Sequence, residues 1–446
     1  MGRFAQTALL LAVSLGVYAN SLDGTFHYDD LHSIVENPHL RSLAQAGRFF
    51  TGTEAFSSDP GKGMYRPVLL VTYALNYRFG GYEVAGYHAL NMALHAACVL
   101  LVWALAGQAG LGGGRALVAA LLFAAHPLGT EPVNYISSRS EVLAAGFYLA
   151  ALLLYLHPGR AARVASLACF ALGLLTKSVV ATLPAALWLL DGVGRGRGAL
   201  RRHLPYWSLA GLYAGLLVAV GFAESSLAKS PRALDAQLWT QLKAVPYYLK
   251  LVAVPVGLSV EHQFQVSLVP DAPVLLAAAL VLSAVAVGRC CWRGADRFWL
   301  LFPALAALPA AVVPLNVLVN EHRLYLPLAG LCVLVVRLLP ERHPGLGLRL
   351  AGVGGPGRPG RPGRGAQRRV GRRAGPVVGR GAEGPDDEPG PRPPGQCPAG
   401  RRAGAGGHGR LPGRGGAGFA RSRGAHQPGQ PALRAGRLGQ QGRGRS

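Results

Sequence analysis

The sequence predicts an all-α integral membrane protein with many transmembrane helices, and three observations carry that prediction. Half of the 446 residues are apolar and only 15% are charged, against the ~25% charged content usual in soluble domains. The apolar residues are gathered into Leu/Ala/Val runs of roughly membrane-spanning length. Several connections between those runs are short and basic, as cytoplasmic loops of membrane proteins are. The chain also has two unlike parts, residues 1–345 with the apolar runs and residues 346–446 with none. Gly, Pro and Arg make up well over half of the second part, which has no lysine and supplies most of the formal charge of +24. The high net charge therefore describes the tail more than the membrane part.

Taken in order, the first apolar run covers residues 4–19. Val17-Tyr18-Ala19 could pass for a signal-peptide cleavage site, but the many later runs favour a retained anchor. With Arg3 inside, the polar region 20–86 faces the periplasm or lumen. Within it, YRPVLLVTYALNYR (65–78) has Pro67 where a first helical residue belongs, and Val68, Leu69, Thr72, Tyr73 and Asn76 follow at helical spacing. Short for a span and flanked by arginines, it reads as an interfacial helix. Spans follow at 87–106, 116–129, 142–156, 164–175, 179–190 and 204–222. The basic connections 159–163 and 194–202 belong inside, which places residues 126–140 and Thr176-Lys177 outside. The run 238–258 is interrupted by Lys243, Pro246, Lys250 and Pro255. A re-entrant or interfacial reading of it keeps Arg289, Arg293 and Arg297 inside. Spans at 274–287, 298–313 and 324–339 complete a bundle of about ten or eleven.

Four polar clusters then share the outer face: Asp29-Asp30, Tyr65-Arg66, residues 126–141 and Glu321-His322-Arg323, with Lys177 at a span end beside them. An ionisable group at membrane depth costs at least ~2.5–3.5 kcal/mol, so several on one face point to a polar cavity. A carboxylate can take the proton of a hydroxyl nucleophile, and Arg or Lys can hold a departing phosphate. Each signal also has a plainer reading: an aspartate can cap a helix, and Arg139 or Arg323 can anchor at the interface. The six cysteines form no C-x-x-C and have no histidine at ligand spacing, so buried thiols are expected and no strong metal site is offered. The sequence implies no cofactor and leaves a divalent metal open.

Five stretches occur in a telling order: NSLDGTFHYDDLHSIVENPHLRSL, YRPVLLVTYALNYRFGGYEVAGYHALNMALHA, FAAHPLGTEPVNYISSRSEVLAA, LLTKSVVATLPAALWL and NEHRLYLPLAG. Over about 330 residues they resemble the membrane domain of the transmembrane and tetratricopeptide-repeat O-mannosyltransferases and their bacterial relatives, in the GT-C glycosyltransferase superfamily. The resemblance implies a GT-C-like bundle with an outer-face active site, a polyprenyl-phosphate sugar donor and a protein Ser/Thr hydroxyl as acceptor. It implies an inverting enzyme whose base is an acid of the first outer loop, Asp29 or Asp30, between which the sequence does not choose. By the same matching Arg66, Arg139, Lys177, His322 and Arg323 serve the donor phosphate, and His126, Glu131 and Glu141 line the substrate site. The implied location is a bacterial inner membrane with the site facing the periplasm. Two departures are Gly129, where the family often has histidine, and Ser178, where it often has glutamate. A non-enzymatic relative, a transporter of lipid-linked substrates or a scaffold, is the competing reading.

The tail departs further, because no 34-residue period and no amphipathic pattern follows residue 345. It reads as a disordered segment, or as a shifted reading frame of a GC-rich gene from near Leu350. Phe419 is its single aromatic, too little for a base-stacking arm, so no nucleic-acid partner is expected.

Overall fold

The computed structural model describes residues 1–192, 196–224, 230–291 and 295–340. The tail and every expectation placed on it lie outside them. All regular elements among the described residues are helical: α1 (Arg3–Gly16), α2 (Pro67–Gly80), α3 (Val84–Gln108), α4 (Gly113–Ala125), α5 (Thr130–Asn134), α6 (Arg139–Leu156), α7 (Arg160–Leu174), α8 (Leu183–Asp191), α9 (Gly196–Ala219), α10 (Leu234–Ala253), α11 (Ala272–Cys291), α12 (Ala295–Val312) and α13 (Tyr325–Leu338). Each apolar run of the sequence coincides with one of them. Hydrocarbon favours this outcome, since a helix satisfies every backbone N–H and C=O within its own segment.

Four stretches, Arg3–Asp23, Val84–Gln108, Ile136–Leu156 and Ala272–Cys290, are long and apolar enough to cross a membrane. Gly113–Ala125 and Pro127–Asn134, bent by 54° at His126, make a fifth if taken as one span. The protein is a multi-pass membrane protein. The other helices at predicted spans are shorter, more charged, or carry internal prolines such as Pro205, Pro303 and Pro309.

The helix ends sort into two faces. On one, Arg115 at the start of α4 donates to the carbonyls of Val336, Arg337 and Leu339 at the end of α13. Arg337 in turn reaches the carbonyl of Ala109 behind α3 and, at 2.6 Å, Asp296 of α12. The last carbonyls of a helix have no intrahelical donor, and arginine supplies one. Tyr155 and Asp191, ending α6 and α8, pair on this same face at 2.5 Å. The opposite ends of α6 and α13, about 27 Å away along the 18 residues of α6 at ~1.5 Å each, carry the polar clusters. Helix α10 does not bridge the faces. At its start Arg232 and Gln237 reach the carbonyls of Leu315 and Ala311; near its end Tyr248 and Val252 meet Asn320 and His126. The first contacts lie at the end of α12, which leads into Glu321, and the last lie beside the polar clusters, so α10 runs along that face. Close packing substitutes for the hydrophobic effect between helices in lipid. At Gly330 of α13 an added Cβ would stand 2.4 Å from the Phe302 ring of α12.

Candidate active site at the Asp29 face

The seven residues from Tyr135 to Glu141, which turn the chain into α6, are the dock on which the site is assembled. The Tyr135 hydroxyl accepts the Asp29 backbone N–H at 2.9 Å. Ser137 donates to Asp30 Oδ1 from its backbone at 2.8 Å and from its hydroxyl at 2.5 Å. Tyr73 of α2 donates to the Ile136 carbonyl at 3.0 Å, Arg66 donates to Ser140 Oγ at 3.2 Å, and Lys177 donates to Glu141. One short turn thus fixes the first loop, α2 and the start of the 178–182 turn.

The two aspartates have different environments. Asp30 is 1% exposed, and its Oδ2 accepts the His27 N–H at 3.0 Å. Burial raises its carboxyl above the usual range, against the pull of its bonds to Ser137 and His27. The Asp29 side chain is 59% exposed, with Oδ1 at 3.0 Å from His32 Nε2 and 3.7 Å from Lys62 Nζ. Just before it, Tyr28 sits at φ +48°, the one non-glycine residue with positive φ among those described. Such strain costs on the order of 1–3 kcal/mol and gathers where geometry serves function. A cavity of about 480 Å³ opens beside this loop, with Glu36, His39, Glu54, Ser57 and Asp59 among its lining residues.

The cations form the second half of the site. His322 Nδ1 lies 2.7 Å from Glu131 Oε1, and its Nε2 lies 3.5 Å from Glu141 Oε1. Burial, reinforced by the charges of Lys177, Arg323 and Arg66, holds His322 well below its usual range. Its imidazole is therefore neutral, with Nδ1 hydrogen-bonded to Glu131 and Nε2 turned toward Glu141. Burial also lowers the Lys177 ammonium to about 8, against the attraction of Glu141. Burial lowers the Arg66 guanidinium, against the attraction of Glu141 and, more weakly, of Asp29. Arg323 donates to the carbonyls of Val317 at 2.8 Å and Leu318 at 3.3 Å.

Arg139, expected with the donor-binding set, is placed elsewhere. It is 0% exposed and donates to Asn91 at 2.6 Å, Thr72 at 3.2 Å, Asn76 at 2.7 Å and the Tyr87 carbonyl at 3.0 Å. The rings of Tyr73 and Tyr87 pack against it. It joins α2, α3 and α6 from within. His126 likewise has both ring nitrogens engaged, one by the Leu128 N–H and one by the Val252 carbonyl. Gly129 is needed for Tyr18, whose hydroxyl would lie 2.4 Å from an added Cβ; the family's histidine has no room there. Residues that sequence reading passed over include His32, Lys62, Ser137, Ser140 and His262. The last bonds Glu321 at 2.8 Å and Tyr247 at 2.8 Å. Only His32, three residues after Asp29 in the same motif, carried a local signal. No group of three or more His, Cys, Asp or Glu side chains arranged to hold a metal ion occurs among the described residues.

No known protein-family model matches the chain. It is 29% identical over 359 residues to Protein O-mannosyl-transferase F38B6.6 of Caenorhabditis elegans, covering 73% of this chain and 50% of that protein. Human Protein O-mannosyl-transferase TMTC1 is 38% identical over 157 residues, 33% of this chain and 17% of that one. The crystal structure of ArnT from Cupriavidus metallidurans bound to undecaprenyl phosphate matches over 75% of this chain and 60% of that one, at TM-score 0.43 and 16% identity. The chain is similar to the protein O-mannosyl-transferases, and it spans about half the length of the first relative and less of the second.

Proposed function

We propose that the chain is a membrane glycosyltransferase that moves a mannose-like sugar from a polyprenyl-phosphate donor to a Ser or Thr hydroxyl of a protein. The observation that carries this reading is one exposed carboxylate, Asp29, on the same helix-bundle face as Arg66, Lys177, His322 and Arg323. The names of the relatives, protein O-mannosyl-transferases, support the choice of sugar and acceptor.

In the proposed reaction the acceptor hydroxyl gives its proton to Asp29, and its oxygen attacks the anomeric carbon. The bond from that carbon to the phosphate oxygen breaks, and the electron pair leaves with the polyprenyl phosphate. Lys177 and Arg66 balance the charge gained by that phosphate, beside the neutral imidazole of His322. A single displacement assisted by one base inverts the anomeric centre. Asp30, buried and triply hydrogen-bonded, holds the loop and leaves the proton to Asp29. Arg139 holds the helices together. We place this face toward the periplasm of a bacterial inner membrane.

The test uses the full chain in lipid nanodiscs with radiolabelled polyprenyl-phosphate mannose and a Ser/Thr-rich peptide. Label is expected on the peptide, released as the inverted anomer by a linkage-specific mannosidase. Donor binding without any transfer to peptide or protein contradicts the reading.

A further inference from the structure

We propose that His32 is a positioning residue for Asp29, holding Oδ1 so that Oδ2 is the atom that takes the acceptor proton. This inference rests on the glycosyl-transfer reading above and adds to it a residue that neither the motif nor the relatives assign.

The direction of the bond between His32 and Asp29 is fixed by chemistry. An ionised Asp29 only accepts, so His32 Nε2, 3.0 Å from Oδ1, must be the donor. The other ring nitrogen, Nδ1, lies 2.9 Å from the Ser57 hydroxyl and is hydrogen-bonded to it. Ser57 Oγ then accepts the Asp59 N–H at 2.9 Å. An unbroken chain of hydrogen bonds runs from the Asp59 backbone through Ser57 and His32 to Asp29. Its members are anchored: Ser57 is buried, the His32 side chain is 12% exposed, and the His32 carbonyl accepts the Ser58 N–H at 2.9 Å.

The Asp29 backbone is held as firmly, by Tyr135 at its N–H and by the Ser33 hydroxyl, 2.5 Å from its carbonyl. What remains free is rotation of the carboxylate itself. His32, with Lys62 farther off, holds Oδ1, and among the described residues no donor reaches Oδ2. The two oxygens are made unequal, one tied to the protein and one open to the face where an acceptor arrives. A base held within a few tenths of an ångström of its productive position keeps its rate, and a misplacement of about 1 Å costs ~100-fold.

Three substitutions separate positioning from loop packing in the nanodisc transfer assay, with radiolabelled polyprenyl-phosphate mannose and a Ser/Thr-rich peptide as probes. The amide of His32→Gln places an N–H where Nε2 was, and the amide of His32→Asn reaches only Ser57. His32→Ala and His32→Asn are expected to lower kcat by up to ~100-fold with both KM values within about twofold, and His32→Gln to recover most of it. Recovery by Asn equal to that by Gln, or wild-type kcat in His32→Ala, overturns the proposal. Asp29→Asn in the same series tells the two claims apart. If it stays active, the role of Asp29 itself fails; if it is inactive while His32→Ala is not, only the positioning role fails. An independent readout is the ¹⁵N spectrum of histidine-labelled full chain in detergent, with His32 assigned by its loss in His32→Gln. The Nε2–H tautomer is expected, and an Nδ1–H tautomer overturns the proposal whatever the turnover.

Discussion

Replacing Arg139 separates the two tasks that an arginine in such a turn can have. The guanidinium is 0% exposed and gives four hydrogen bonds to Asn91, Thr72, Asn76 and the Tyr87 carbonyl. Hydrogen bonds from a charged donor contribute ~1.5–3 kcal/mol each, and a buried acceptor left without a partner costs ~1–3 kcal/mol. Arg139→Met removes all four donors and strands acceptors on α2 and α3. Relaxation and water entry reduce the sum, so a loss of about 3–5 kcal/mol is expected. That is a large share of the ~5–15 kcal/mol by which folded proteins are stable. Arg139→Lys keeps the charge but offers three donors from one point instead of a planar fork, and should lose about half as much. The assay is thermal unfolding in detergent, alongside the donor KM of whatever folded protein remains. A melting temperature lowered by at least ~5 °C with an unchanged donor KM is the expected pair of results. A melting temperature within a degree of wild type together with a tenfold higher donor KM would refute the reasoning and return Arg139 to the phosphate.

Three further outcomes are expected. Because burial lowers Lys177 to about 8, its charge is present below that pH and lost above it. The donor KM should therefore rise about tenfold between pH 7 and pH 9.5, and Lys177→Arg, charged throughout, should flatten the rise. In Asp30→Asn the new NH₂ group meets either the His27 N–H or the Ser137 donors. It should destabilise the chain by about 1–3 kcal/mol, read as a lower melting temperature and faster proteolysis of the first loop. Gly330→Val drives a branched side chain into the Phe302 ring and should cost about 1–3 kcal/mol, measured by thermal unfolding with the transfer rate per folded molecule unchanged.

The helices were legible because the bilayer admits few alternatives: runs of apolar residues had to be helices, and Pro67 marked the start of α2 as its missing N–H requires. The polar clusters that share one face were legible for the same reason, since charge is rare enough in such a chain to stand out. What the sequence left open was which member of a cluster faces outward. The choice between Asp29 and Asp30 turns on Ser137, more than a hundred residues later in the chain, and nothing local to the pair encodes that contact. Arg139 was grouped with the site cations by the resemblance, and its neighbours Ser140 and Glu141 do bond Arg66 and Lys177. Its own direction is set by Asn91 and Tyr87 of α3, and helix periodicity places Glu141 and Arg139 on different sides of α6. The part played by His262 was hidden because a histidine in a loop has no partner until Glu321 is folded against it.

The central claim, that Asp29 is the base of a sugar transfer, is tested most directly by the transfer rate of Asp29→Asn. The side chain is exposed, so its replacement should leave the melting temperature and the donor KM unchanged. Loss of general-base assistance should lower kcat by ~10²–10⁴-fold, with Asp29→Glu recovering part of it. A kcat for Asp29→Asn within a few-fold of wild type, in protein that still binds donor, would contradict the account.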